Sequence, residues 1–192
     1  MKKMLLVIIA TGSILFASAQ IQFGVKAGYN LTTLTTSASS DLKSKSGFSG
    51  GVLASVPLFN TFYLQPEIVY SGQGTSFTVG GVNANLNYNY LNVPVLFKYQ
   101  NPKGFFAETG PQVGFVLSAN IKANGMTTDV KDEIQTMDFS WAFGLGYLIP
   151  DVNLGIDVRY NLGITNTAKD SGGETEKNSV FQFGLFYMFG GK

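Results

Sequence analysis

From Ile21 onward the chain alternates between apolar and polar residues with a period of two. Ile21, Phe23, Val25, Ala27, Tyr29 and Leu31 fall on one parity, and Gln22, Gly24, Lys26, Gly28 and Asn30 on the other. That is the pattern of a strand with two unlike faces. It returns at residues 48–56, 64–71, 92–99, 105–118, 139–147, 154–163 and 181–189. In the sixth of these segments Phe139, Trp141, Phe143, Leu145 and Tyr147 oppose Ser140, Ala142, Gly144 and Gly146. No long helical stripe interrupts the set. The pattern predicts an all-β fold, an eight-stranded antiparallel up-and-down barrel.

The connections alternate in length. Short ones at residues 58–61, 100–104 and 150–151 are rich in Asn, Pro, Gly or Asp. Long ones at residues 32–47, 119–137 and 164–177 are rich in Ser, Thr, Lys and Asp. Between the third and fourth strands, Gly80-Gly81 suits a tight primed turn joining residues 75–79 to 82–89. The fourth strand breaks step. Tyr88 and Tyr90 share the parity that later carries Asn92 and Lys98, which predicts either a bulge near residues 90–91 or emergence from a membrane there.

Which face points inward decides the class. In the strand interiors the polar face carries only Lys26, Glu67, Lys98, Glu108, Asp157 and Arg159 as charges. It is otherwise rich in glycine, with Gly24, Gly28, Gly51, Gly110, Gly114, Gly144, Gly146, Gly155, Gly163 and Gly184. A water-facing exterior rarely looks so bare, whereas the narrow interior of an eight-stranded barrel must be filled by small and paired groups. The opposite face is almost wholly aliphatic and aromatic. Tyr29, Tyr70, Tyr99, Tyr147, Tyr160, Tyr187 and Phe189 lie near strand ends, as in the aromatic girdles of membrane barrels. Only 13% of residues are charged, against 45% hydrophobic. A soluble ligand carrier would place its apolar face inside and charges outside. The composition favours a transmembrane barrel, closed so that no backbone group is left unpaired in hydrocarbon.

The amino terminus supplies the route. Lys2 and Lys3 precede an apolar run over residues 4–16, followed by Ala17-Ser18-Ala19. A charged start, a short apolar core and a small-x-small site predict a secretory signal peptide over residues 1–19, with the barrel domain over residues 20–192. The apolar run is too short to span a bilayer comfortably as a helix. The chain is therefore expected in the cell outer membrane.

Chemistry is constrained by what is missing. The sequence contains no His and no Cys. Imidazole-dependent dyads and triads, disulfides and Cys-ligated metals are excluded. With 13 basic and 12 acidic residues there is no basic stripe for nucleic acid. Lys26, Glu67, Lys98, Glu108, Asp157 and Arg159 read as a structural luminal network, because buried charges persist only when paired. Asp129, Asp132, Glu133 and Asp138 lack the regular spacing of a calcium loop and are interrupted by Lys131. Asp170, Glu174 and Glu176 are mixed with Lys169 and Lys177. Both groups read as solvated loop. Gly72-Gln73-Gly74 opens no helix and makes no phosphate cradle. Trp141, on the apolar face, reads as lipid-facing or interfacial.

Several segments also resemble a known family. Residues 64–71 (Leu-Gln-Pro-Glu-Ile-Val-Tyr-Ser) and 91–99 (Leu-Asn-Val-Pro-Val-Leu-Phe-Lys-Tyr) resemble the PorT-like outer-membrane β-barrel family of Bacteroidota. Gly110-Pro111-Gln112-Val113-Gly114 and Arg159-Tyr160-Asn161-Leu162-Gly163 look like its later motifs. The chain departs at Gly72-Gln73-Gly74, where the family often has Gln-Lys-Gly, so any role of that Lys is absent. The resemblance implies an eight-stranded outer-membrane barrel and implies no reaction.

Three functions are compatible with these features. The leading one is a small, non-enzymatic barrel with a structural or interaction role and with recognition in long extracellular loops. It would work without a cofactor, as a monomer, in contact with outer-membrane lipid and lipopolysaccharide and with an extracellular or envelope protein partner. The alternative is a narrow channel for small solutes, which a side-chain-filled lumen opposes. The third, a membrane-embedded enzyme, is opposed by the missing His. Processing is directly testable: mass spectrometry of the purified protein should show a mature chain beginning at Gln20, and an intact Met1 terminus would refute the signal peptide.

Overall fold

The computed structural model describes residues 20–36, 43–79, 81–167 and 176–190. The expected signal peptide lies outside the described residues. The strands are β1 (Gln22–Thr36), β2 (Lys43–Phe59), β3 (Phe62–Val79), β4 (Val82–Gln100) and β5 (Phe105–Ala123), then the short β6 (Met126–Asp129), β7 (Met137–Ile149), β8 (Leu154–Gly163) and β9 (Glu176–Phe189). Each ring strand pairs antiparallel with its neighbours in sequence, β5 pairs with β7 directly, and β1 with β9 closes the ring. The ring has eight strands, with β6 an appendage of β5. Closure leaves no free edge along the ring, which is what hydrocarbon demands.

Parity sorts the side chains as the alternation predicts. Outward residues stand free of the protein: Phe48 is 76% exposed, Leu145 67% and Phe23 61%. A belt of such residues circles every ring strand, which a water-soluble surface would not tolerate. Inward residues are buried, and bulk is matched to its absence across strands. Phe106 pairs with Gly146, Glu108 with Gly144, Asp157 with Gly184 and Phe186 with Gly155. A Cβ on Gly144 would sit 2.8 Å from Cγ of Glu108, and one on Gly155 would overlap the Phe186 ring. The glycines of the polar face are therefore the room into which the large luminal side chains lie.

The strands run further than a membrane needs. A tilted spanning strand takes roughly 9–11 residues, whereas β2, β3, β4 and β5 have 17, 18, 19 and 19. Much of the chain expected as long loop is instead strand wall. Thr32 pairs with Lys45 and Thr36 with Glu176, while residues 37–42 and 168–175 lie outside the described residues. In the expected 119–137 loop, β5 continues to Ala123, turns at Asn124 and Gly125 (φ 49° and 76°) and returns as β6. A 3-10 turn at Lys131–Glu133 follows. The β3–β4 pairing runs to Val79↔Val82, leaving two connecting residues, and Gly81 has φ 82° as a primed turn requires.

The expected slip in β4 is not a bulge of β4 itself. Ala84, Tyr88, Tyr90, Asn92, Leu96 and Lys98 are all buried on one unbroken parity, and the β3–β4 register has no shift. What changes is the chemistry of the two faces. Beyond Leu91 the outer face becomes Asn89, Asn87 and Asn85, and the inner face becomes Tyr90, Tyr88 and Leu86. The bulge exists, but on the neighbouring strand. Asn89 pairs with Ser118 and Tyr90 with Val116, so Leu117 of β5 is the extra residue. Its carbonyl accepts a hydrogen bond from Lys131 Nζ at 2.9 Å.

The packing of glycine against bulk gives a direct test. Gly155→Val should destabilise the barrel by about 1–3 kcal/mol through overpacking against Phe186. The penalty should shrink in a Phe186→Ala background, as read from urea midpoints of the reconstituted protein.

Candidate functional site

The lumen is layered by chemistry. Nearest the short turns, Leu53, Phe106, Phe186 and Met188 form a buried apolar cluster, with Leu148 against it. All five sit on the parity that otherwise carries polar residues. Above them lies the charged layer. The six residues singled out by alternation come from five strands, Asp157 and Arg159 sharing β8, and all are buried: Lys26 6%, Glu67 2%, Lys98 3%, Glu108 4%, Asp157 5% and Arg159 1% exposed.

Arg159 is their centre. Its Nη1 donates to Glu67 Oε2 and its Nη2 to Glu67 Oε1, both at 2.8 Å, a fork-to-fork pair. Its Nε and Nη2 also reach Glu108 Oε1, at 3.0 and 2.6 Å. Nη2 lies 3.7 Å from Asp157 Oδ2, which itself forms an ion pair with Lys26. Lys98 makes no direct ion pair in this set. Its Nζ donates to Gln65 Oε1 at 3.1 Å and lies 3.8 Å from the centre of the Phe106 ring. Gln65 in turn donates to Glu67 Oε1 at 2.7 Å and to Glu108 Oε2 at 3.3 Å. Three carboxylates thus face three cations, so the layer is neutral in sum.

Gln65 was not among the residues chosen from sequence, although it sits on the same face two positions before Glu67. The missing signal was charge: an amide that bridges like-charged carboxylates is invisible to a search for ionic groups. The apolar cluster was likewise overlooked as a layer, since each member interrupts a polar run.

Above the charges comes an amide and hydroxyl layer. Gln182 Nε2 donates to Ser49 Oγ at 2.7 Å and to Asn30 Oδ1 at 3.1 Å, and Asn30 Nδ2 donates to Ser71 Oγ at 2.9 Å. Gln112 Nε2 donates to Ser140 Oγ at 3.0 Å. The layer is capped by Tyr88, Tyr90, Val116, Ala119, Val130 and Ile134, a second apolar cluster. The cap explains why the inner face of β4 turns apolar where its outer face turns polar. Beneath it a cavity of about 10 Å³ remains in the lumen, about the room for one water.

The other candidate residues fall apart. Asp129, Asp132 and Glu133 are exposed, whereas Asp138 is buried and accepts from Thr165 Oγ1 at 2.7 Å. No cluster of metal-ligating side chains occurs among the described residues. Trp141 is 39% exposed on the outer face, and its Nε1 donates to Thr109 Oγ1 at 2.8 Å. Glu174, Asp170 and Lys169 lie outside the described residues.

A closed antiparallel ring with an apolar exterior and a polar interior is the arrangement of an outer-membrane barrel, and the family comparison agrees. The model of the outer membrane protein beta-barrel domain matches residues 16–169. The chain belongs to that family. As an outer membrane protein beta-barrel domain it resides in the cell outer membrane. Its fold is similar to Neisserial surface protein A, with 14% identity, 87% of this chain and 97% of that one covered, and a TM-score of 0.60. It is also similar to Ail, the attachment invasion locus protein of Yersinia pestis, solved with the heparin analogue sucrose octasulfate. There the identity is 17%, 88% and 99% of the two chains are covered, and the TM-score is 0.50. No curated protein matches the sequence.

Removing Arg159 strands two buried carboxylates. Arg159→Ala should cost about 3–5 kcal/mol, read as a lowered urea midpoint, and pairing it with Glu67→Gln and Glu108→Gln should recover part of that loss. An Arg159→Ala barrel that unfolds at the wild-type midpoint would refute the network.

Proposed function

We propose that this barrel is a small, non-enzymatic outer-membrane protein whose role is structural or interactive, with recognition carried by the wall and loops at its long-loop end. The carrying observation is the filled lumen. Two apolar clusters bracket a neutral ion network, and the cavity between them holds about one water. A solute path would have to break the Arg159 fork, and the ion network needs no reactive nucleophile or cofactor to account for it.

In this reading residues 1–19 are removed on export, both termini lie in the periplasm, and the long-loop end faces outside. The finer relationship is to the PorT-like barrels of Bacteroidota, supported by the motifs at residues 64–71 and 91–99. The monomer contacts lipid through its apolar belt. Lys43 and Lys122 stand exposed on the wall above that belt, and Lys45 crosses to Asn87 of β4. Such cations suit the phosphates of lipopolysaccharide, as the polar Asn85, Asn87 and Asn89 suit its sugars. An extracellular or envelope protein would be met at the β3–β4 and β5–β6 hairpins, which stay paired as strand up to their turns.

Purified protein in planar bilayers should give no large, stable conductance. Steady porin-sized openings from wild-type protein would overturn the reading in favour of a channel. Shortening the β5–β6 hairpin should leave the barrel folded while removing crosslinks to envelope partners in intact cells.

A further inference from the structure

The cavity below the tyrosine cap is lined by oxygens whose hydrogen-bonding capacity the protein does not use. Tyr90, Asp138, Asn161 and Asn178 all border it, and they are 1%, 7%, 5% and 5% exposed. The side-chain oxygens of Asn161 and Asn178 have no hydrogen-bond partner. The Tyr90 hydroxyl shares the cavity with Asp138 and Asn178 and has no hydrogen-bond partner of normal geometry. Three unsatisfied buried oxygens around one space are a costly arrangement unless something occupies it.

The orientation of Asn178 is fixed by its neighbours. Its Nδ2 donates to Gln73 Oε1, and Gln73 is itself oriented by donating Nε2 to Ser71 Oγ at 2.9 Å. Turning the Asn178 amide over would set two carbonyl oxygens against each other, so its Oδ1 is left as a bare acceptor. Asp138 adds a carboxylate at the same rim. Thr165 gives it one hydroxyl proton, but among the described residues no Lys or Arg forms an ion pair with it. The charges below are balanced among themselves, so Asp138 stands outside their account.

We propose that this cavity binds a single dehydrated sodium ion, held by Asp138 with the side-chain oxygens of Asn161, Asn178 and Tyr90. Neutral amide and phenol oxygens with one carboxylate suit a hard monovalent cation. A divalent ion would ask for more carboxylates. Water has only two protons to share and leaves the Asp138 charge uncompensated. The volume, about 10 Å³, admits an ion no larger than a water molecule. The site locks β4, β7, β8 and β9 together just beneath the cap, where β7 begins and Gly114 of β5 pairs with Asp138.

The test compares unfolding in urea of the full-length mature barrel, held in a non-ionic detergent and followed by Trp141 fluorescence, in sodium chloride and in caesium chloride at equal ionic strength. Caesium is too large for the cavity. With sodium near ~10 times its dissociation constant, unfolding should be about tenfold slower in sodium. Asp138→Asn and Asn161→Leu, which remove the charge and fill the space, should each abolish the difference. Should Asp138→Asn fail to fold, Asn161→Leu decides alone. Equal rates in both salts for wild type mean that the cavity holds water, and they overturn the proposal. So does a sodium preference that survives in the variants, which would be a general salt effect.

Discussion

Arg159 is the group on which the lumen depends. It enters from β8, crosses the barrel to β3 and β5, and neutralises two carboxylates that could not otherwise share a dry interior. Every neighbour is set by that crossing. Gly144 opposite it leaves space for the Glu108 side chain, Gln65 bridges the two glutamates, and Asp157 is shared with Lys26 of β1, two strands away. The network links strands that share no backbone hydrogen bond, notably β3 and β8, so it ties the ring across its diameter as well as around its rim.

The same geometry explains the functional reading. An eight-stranded ring has an interior that side chains fill. Here they fill it in strata, apolar, ionic, amide and apolar again. Unused oxygens gather near Asp138, while Asp157 Oδ1 in the ionic stratum and Thr32 Oγ1 also lack a partner. A barrel closed in this way offers its surroundings an exterior and a rim. The rim is unusually tall because β2 to β5 continue as a polar-faced wall beyond the lipid belt.

How much of this was legible in the chain follows from the physics of alternation. Period two reports which face each residue takes, so the inward placement of Lys26, Glu67, Lys98, Glu108, Asp157 and Arg159 could be read directly. It could not report who meets whom across the lumen. Lys98 stands beside Glu108 in register, yet it lies over Phe106 and bonds to Gln65. The apparent slip at Tyr90 was a change of surroundings along a strand whose parity never broke, and the extra residue, Leu117, belonged to the adjoining strand. A single strand's pattern carries no record of its neighbour's register.

The sequence by itself determined the class, the strand number, the outward apolar belt and the inward charges, because hydrocarbon outside and a narrow interior each impose a local choice at every second residue. Only the tertiary structure decided the pairings. Barrel closure and strand tilt bring together residues more than ninety positions apart, such as Glu67 and Arg159. Their distance depends on the summed register of every strand between them, and no local pattern contains that sum.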